Sequence, residues 1–254
     1  MTTLTLLTKA YTANQMAKVS DALSLALEGL EVETKILGVA AGKWVQIDLA
    51  GEDEAIATNY LAREIGFCPT SLKDVTLNST LKGYITDFGK DKEELTVDIG
   101  VFQPKNTRTT ISLQFLQAQL VAGRNVPLKE LGKLFGFCGG LPLNITVNSV
   151  HEELYLIEAE LSTWQVEKYG FWQKALLDRL IVLGVAVSEV KNALEYARLN
   201  RDIINIEPLG MFEHALVCKL GTDAAGLIPK IGRILKSSKF AVFNPRKILH
   251  FHQT

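Results

Sequence analysis

The sequence has no close pair of cysteines, no long apolar run and none of the short motifs that mark an enzyme. Its three cysteines, Cys68, Cys138 and Cys218, lie far apart. A structural zinc site draws four ligands, usually from close pairs, so these read as reduced core thiols. Gly-x-Ser-x-Gly, His-Glu-x-x-His, Gly-x-Gly-x-x-Gly and Gly-Lys-Thr endings are all missing. Four histidines are present. His250 and His252 form a pair near the C-terminus without a fixed third ligand, and His214 reads as structural. Glu158 and Glu160, two apart on a strand, are an ordinary surface feature. A non-enzymatic protein without metal or other cofactor is expected; a motif scan misses only an active site assembled from distant residues. The longest apolar run, Leu180 to Val187 with Gly184 counted in, is far short of a membrane span. The N-terminus lacks the charged start and apolar stretch of a signal peptide. A cytoplasmic protein without membrane contact is expected.

What is present is core-forming. Apolar residues make up 47% of the 254 residues, which excludes a disordered chain. The formal net charge is −1, so the molecule as a whole does not attract a polyanion. The charge is uneven, however. Residues 1–76 carry 6 bases and 10 acids, residues 77–162 carry 8 and 10, and residues 163–254 carry 13 and 8. After Asp223 come Lys230, Arg233, Lys236, Lys239, Arg246 and Lys247, with no acid in residues 224–254.

Hydrophobic periodicity divides the chain into three parts and predicts an α+β fold. Residues 1–76 read as a βαββα two-layer sandwich. Leu4 and Leu6 alternate on the first strand, Asn14 is a candidate cap, and Met16, Val19, Leu23 and Leu27 form a helical stripe. A second helix starts near Glu52 and buries Ile56, Tyr60, Leu61 and Ile65. Residues 77–162 have short strands at 81–88, 95–102, 141–150 and 154–161, with helices at 113–121 and 127–135. That pattern suggests an OB-type barrel. Residues 163–254 read as a C-terminal α/β domain: a helical pair at 171–183 and 188–199, then a ferredoxin-like ββαβ unit. Its hairpin spans 203–208 and 212–220, its helix runs from a Thr222 or Asp223 cap to about Ser237, and its last strand is 241–249.

Gly83-Tyr-Ile-Thr-Asp-Phe-Gly with Leu95-Thr-Val-Asp-Ile-Gly resembles the opening strands of the S-one-type RNA-binding barrel of ribosomal and initiation-factor proteins. Leu141-Pro-Leu-Asn-Ile-Thr-Val with Glu153-Leu-Tyr-Leu-Ile-Glu-Ala-Glu-Leu has the shape of that barrel's last two strands. Asp178-Arg-Leu-Ile-Val-Leu-Gly, the stretch Glu213 to Ile228 and Phe243-Asn-Pro resemble an archaeal family of unknown function, domain-of-unknown-function family 2110. The resemblance implies an archaeal source and a barrel flanked by two modules, and it supplies no activity.

Three sets of residues are candidates for binding. On the barrel, Tyr84, Phe88 and Phe102 would stack bases, with Lys82, Lys90, Lys92, Lys105 and Arg108 around them. The span 82–108 also holds Asp87, Asp91, Glu93, Glu94 and Asp98, which neutralise it. At the C-terminus, Lys230, Arg233, Lys236, Lys239, Arg246 and Lys247 would meet phosphates. Gly221, Thr222, Asp223 and Gly226 lie between strand and helix, where backbone N–H groups hold an anion. This loop also resembles the first loop of the amino-acid-binding ACT domains, in permuted order. RNA or a ribonucleoprotein is therefore the expected partner, with translation or the ribosome as its setting. A protein-interaction scaffold and a small-molecule regulator are the alternatives.

Overall fold

The computed structural model describes residues 2–86, 88 and 93–253, the side chains of His252 and Gln253 excepted. Packing divides the chain into two units, Met1–Val75 with Ile99–Thr107, and Thr76–Asp98 with Arg108–Thr254. The sequence pattern anticipates three modules. In this division the barrel and the C-terminal sheet fall in one unit, and one barrel loop falls in the other.

In the first unit the elements are β1 (Thr2–Lys9), α1 (Ala13–Ala26), β2 (Val32–Val39), β3 (Trp44–Gly51) and α2 (Glu54–Glu64). The sheet order is β1-β3-β2, all antiparallel. Thr12, not Asn14, caps α1: its hydroxyl accepts the Gln15 N–H while Gln15 reaches back to the Thr12 N–H. Val19, Leu23 and Leu27 are buried as the periodicity predicts. On α2 the buried stripe is Ala57 and Leu61, while Ile56 and Tyr60 are exposed. Small Ala57 lets the helix lie close to the sheet, and a scan for large apolar residues overlooks it.

The stretch Ile99–Thr107 belongs to this unit, so Ile99 and Val101 leave the barrel face expected of them. Gly100 makes the docking possible. Its φ is +84°, and a Cβ there would lie 2.5 Å from Cys68 Cβ. A Gly100→Ala variant should lose about 2–4 kcal/mol of stability through left-handed strain plus overpacking. Chemical denaturation measures this, and a wild-type midpoint would contradict it.

The second unit opens with the barrel: β4 (Thr80–Ile85), β5 (Glu94–Asp98), β6 (Arg108–Ser112), α3 (Leu113–Val121), α4 (Leu128–Phe135), β7 (Pro142–His151) and β8 (Leu156–Leu161). The barrel closes in the order β4-β5-β6-β8-β7, with β6 and β8 parallel and the other pairs antiparallel. Helices inserted before the last two strands complete the OB-type arrangement. Leu95, Val97, Ile111, Leu143, Ile145, Val147 and Ile157 are fully buried or nearly so.

The C-terminal elements are α5 (Thr163–Lys174), β9 (Arg179–Leu183), α6 (Val187–Tyr196), β10 (Ile203–Pro208), β11 (Glu213–Cys218), α7 (Ala224–Ile231), β12 (Lys239–Phe243) and α8 (Pro245–Gln253). The antiparallel sheet runs β10-β11-β9-β12. From β9 to β12 the order is βαββαβ, the split arrangement of ferredoxin-like folds.

Three expectations change here. The helix expected at 171–183 is α5, which begins eight residues earlier and is followed by the strand β9. A short apolar run does not distinguish buried strand from buried helix, and Leu180–Leu183 is covered on both faces. The helix expected to reach Ser237 ends at Ile231, although Ile234 and Leu235 still pack into the same core. The strand expected at 241–249 stops at Phe243, because Asn244 accepts the Lys247 N–H and Pro245 occupies the first helical position of α8. Among the described residues no helix is long and apolar enough to cross a membrane.

Candidate nucleic-acid interface

The barrel does not offer the aromatic groove anticipated for it. Tyr84 is only 2% exposed, and its hydroxyl donates to Glu213 Oε2 at 3.3 Å. Phe88 meets Phe137 edge-on, with centroids 6.4 Å apart. A Cβ on Gly132 would land on the Phe88 ring, so Gly132 provides its seat. Lys82 is half-buried; burial pulls its pKa down and the Glu213 carboxylate opposes this. Arg108 is ion-paired with Glu94 at 3.1 Å. Phe102 and Lys105 belong to the first unit. Lys90, Lys92, Asp87 and Asp91 lie outside the described residues. Around Arg108, neighbouring strands β5 and β8 carry Glu94, Asp98, Glu158 and Glu160, so the surface is acidic. Such a face gains little from counterion release.

The C-terminal cations fare differently. Strand β12 is an edge of its sheet, and Lys239 lies on it. Lys230 is in the last turn of α7, and Arg233 and Lys236 follow in the turn leading to β12. Arg246 and Lys247 are in the first turn of α8, directly after β12. All six are exposed, and among the described residues none has a carboxylate within ion-pairing distance. Lys239 Nζ lies 3.4 Å from the Gly139 carbonyl, which keeps it over the barrel side of the edge. A lysine on an edge strand also discourages edge-to-edge pairing, but that role needs one or two cations rather than six.

The Gly221 loop forms one wall of a polar cavity of about 180 Å³, together with Asp178, Lys219, Thr222, Asp223, Asn244 and Arg246. Three segments distant in sequence meet there. Asp178 is the tie between them: its Oδ2 accepts the Ala224 N–H at 3.3 Å and the Asn244 side-chain amide at 3.2 Å. Burial pushes its pKa up, against the Ala224 N–H. Asp223 caps α7 through the Ala225 N–H. Gly226 is not in the cavity wall; it lies within α7, facing Asp223. In the βαββαβ order from β9 to β12 this loop joins the third strand to the second helix, so it does not take the place of the first loop of an ACT domain.

Groups suited to catalysis are scattered. Ser149, His151 and Glu158 meet on the β7–β8 hairpin, but Ser149 donates to Glu158 at 2.8 Å while His151 Nε2 is 3.0 Å from the same hydroxyl. A nucleophile relay needs the acid on the far ring nitrogen, whereas here both groups face Nε2. No group of three or more metal-ligating side chains occurs among the described residues. His250 is exposed, and the His252 side chain lies outside the described residues.

His214 is buried, with Nε2 3.0 Å from the Val185 carbonyl and Nδ1 without a hydrogen-bond partner among the described residues. Burial holds its pKa below the ordinary value, opposed by the Val185 bond. The unfolded chain therefore takes up the proton first as pH falls. This contribution to stability is present above about pH 6.5 and is lost below it, toward the folded-state pKa. The melting temperature should drop between pH 7.5 and 5.5, and His214→Gln, which keeps a donor, should show a smaller drop. Equal slopes in both proteins would exclude this assignment.

One feature of α5 escaped the sequence reading altogether. Trp164 is 55% and Phe171 66% exposed, with Lys168 between them on the same helical line. The signal was present as i, i+4, i+7 spacing, but it becomes readable only when the helix starts after its Ser162 cap.

Residues 3–71 match the DUF2110 N-terminal domain, and residues 177–243 match the DUF2110 C-terminal domain. The barrel lies between the two matches. No curated protein matches the chain. Among solved structures, an uncharacterized protein from Methanocaldococcus jannaschii is 12% identical, over 35% of this chain and 95% of that one, with a TM-score of 0.25. The intact alpha subunit of aIF2 from Pyrococcus abyssi is 7% identical, over 67% of this chain and 97% of that one, at 0.27. A multidomain protein with nucleic acid binding domains from Streptococcus pneumoniae is 10% identical, over 81% and 51%, at 0.22.

Proposed function

We propose that this chain, which belongs to the DUF2110 family by both of its terminal domains, is a non-enzymatic RNA- or ribonucleoprotein-binding protein. The contact is the basic edge of the C-terminal sheet. The observation that carries the reading is the run of six exposed cations on β12 and on the segments just before and after it, in a stretch of 31 residues that contains no acid. Unpaired cations on one edge gain from a polyanion by releasing its counterions. The start of α8 adds to this, since the positive end of the helix dipole favours an anion beside Arg246 and Lys247. The barrel's part is to carry this edge rather than to read bases. The resemblance of its strands to S-one-type barrels supports a setting in translation or at the ribosome, and the resemblance to the archaeal family of unknown function supports an archaeal one.

A second reading rests on the polar cavity, whose wall of Asp178, Asp223, Lys219 and Arg246 offers both charges to a small ligand. A regulator of that kind would show a ligand-dependent rise in melting temperature.

For RNA binding, the measurement is affinity for a short single strand across salt concentrations. Binding should be micromolar or tighter at low salt. Combined Lys230→Glu, Arg233→Glu and Lys236→Glu substitutions should weaken it at least tenfold and reduce the log–log salt slope by about 2, for three lost phosphate contacts. No binding at low salt would overturn the reading and leave protein partners recovered after nuclease treatment as the alternative.

A further inference from the structure

The helix α5 carries an aromatic residue, a cation and a second aromatic residue along one line of its surface. Trp164, Lys168 and Phe171 stand at i, i+4 and i+7, within a narrow arc of the helical wheel. Both outer rings are more than half exposed, while Trp172 behind them is buried. The Lys168 ammonium lies 5.1 Å from the Trp164 ring and 5.0 Å from the Trp172 ring, so it is held among the aromatics rather than free in solvent. At 1.5 Å per residue, Trp164 and Phe171 are about 10 Å apart along the axis, enough for each to take its own flat partner.

The stripe is firmly mounted. Ser162 caps α5 by accepting the Gln165 N–H, and Gln165 accepts the Asn144 N–H from barrel strand β7. On its other side α5 packs against α8, the helix that carries Arg246 and Lys247. The stripe is therefore joined to the basic edge through two packed helices. Burial, Lys82 and Arg179 pull the Lys168 pKa down to about 8, with Glu207 opposing, so the ammonium is under-compensated and an arriving anion would favour its charged form.

We infer that Trp164 and Phe171 form a stacking platform for two bases of a single-stranded nucleic acid, with Lys168 placed to meet the phosphate between them. This rests on the RNA reading above and deepens it, because a stacking platform selects unpaired bases. A flat aromatic face accepts any base, so little sequence preference follows. A cation beside the Trp164 ring, from a residue between the two aromatics on the helix, suits a chain that alternates planar bases with phosphates. An apolar protein surface would have to desolvate it.

The test compares a short single-stranded RNA with the same sequence as a duplex, at one low salt concentration, on the full chain. Trp164→Leu and Phe171→Ala should each weaken single-strand binding about tenfold and leave duplex binding unchanged. Trp164→Phe, which keeps a flat ring, should bind within about twofold of wild type. Melting temperatures of all three variants establish that each is folded. Wild-type single-strand affinity in Trp164→Leu, while the Lys230/Arg233/Lys236 variant has lost binding, would overturn the platform and leave the basic edge standing. Equal losses on single strand and duplex would also overturn it. No RNA binding by the wild type would remove both.

Discussion

Strand β9 is covered on both faces, and the whole second unit depends on that. Leu180 and Val182 point into a core made with α6 and α7, containing Val190, Leu194, Leu227 and Ile231. Ile181 and Leu183 point the other way, toward Gly136 and Gly140 of the barrel segment between α4 and β7. On this second side Phe135, Phe137, Tyr169, Trp172 and Phe243 form a connected aromatic cluster, with centroids 5.2–6.3 Å apart. Its members come from α4, the segment after it, α5 and β12. Edge-to-face contacts of this kind add to the area they bury. They make barrel and sheet one body where the sequence pattern suggests two.

The same strand explains an ion pair that would otherwise be costly. Arg179 is 1% exposed, yet its guanidinium reaches Glu207 at 3.2 Å and the Leu177 carbonyl at 3.1 Å, and it lies 4.7 Å over Trp172. A buried arginine left without a partner would be strongly destabilising, and this one is held on several sides. Tyr84 and Glu213 extend the polar seam toward the barrel. The seam absorbs Lys82 and Tyr84, two residues that looked like parts of a binding groove. Their types suited RNA; their positions served the junction.

Local pattern made most of the fold legible, and failed where two solutions share one pattern. Alternation in Leu95–Asp98 and helical spacing in α1 survive as read, because each element has one buried and one wet side. Leu180–Leu183 has no wet side, so its period is silent. Ala57 and Gly132 matter through smallness, admitting a sheet in one case and the Phe88 ring in the other. Charge was read more reliably than aromaticity. Long cationic side chains remain exposed almost wherever they fall, so Lys230 through Lys247 kept their expected setting. A tyrosine or phenylalanine goes to whichever core is nearest, and its fate is decided by contacts remote in sequence.

That difference bears on the role proposed for the basic edge. Cations in the first turn of a helix oppose its dipole, at a cost of about 0.3–1 kcal/mol each where exposed. Arg246 and Lys247 occupy that turn of α8 with no acid in it. Asp178 lies near enough to interact with both, yet its carboxylate is already committed to Ala224 and Asn244. Stability alone favours an acid at either position. A helix start that collects positive charge, beside an edge strand and a turn that collect more, is poorly arranged for an isolated protein and well arranged for an anionic partner.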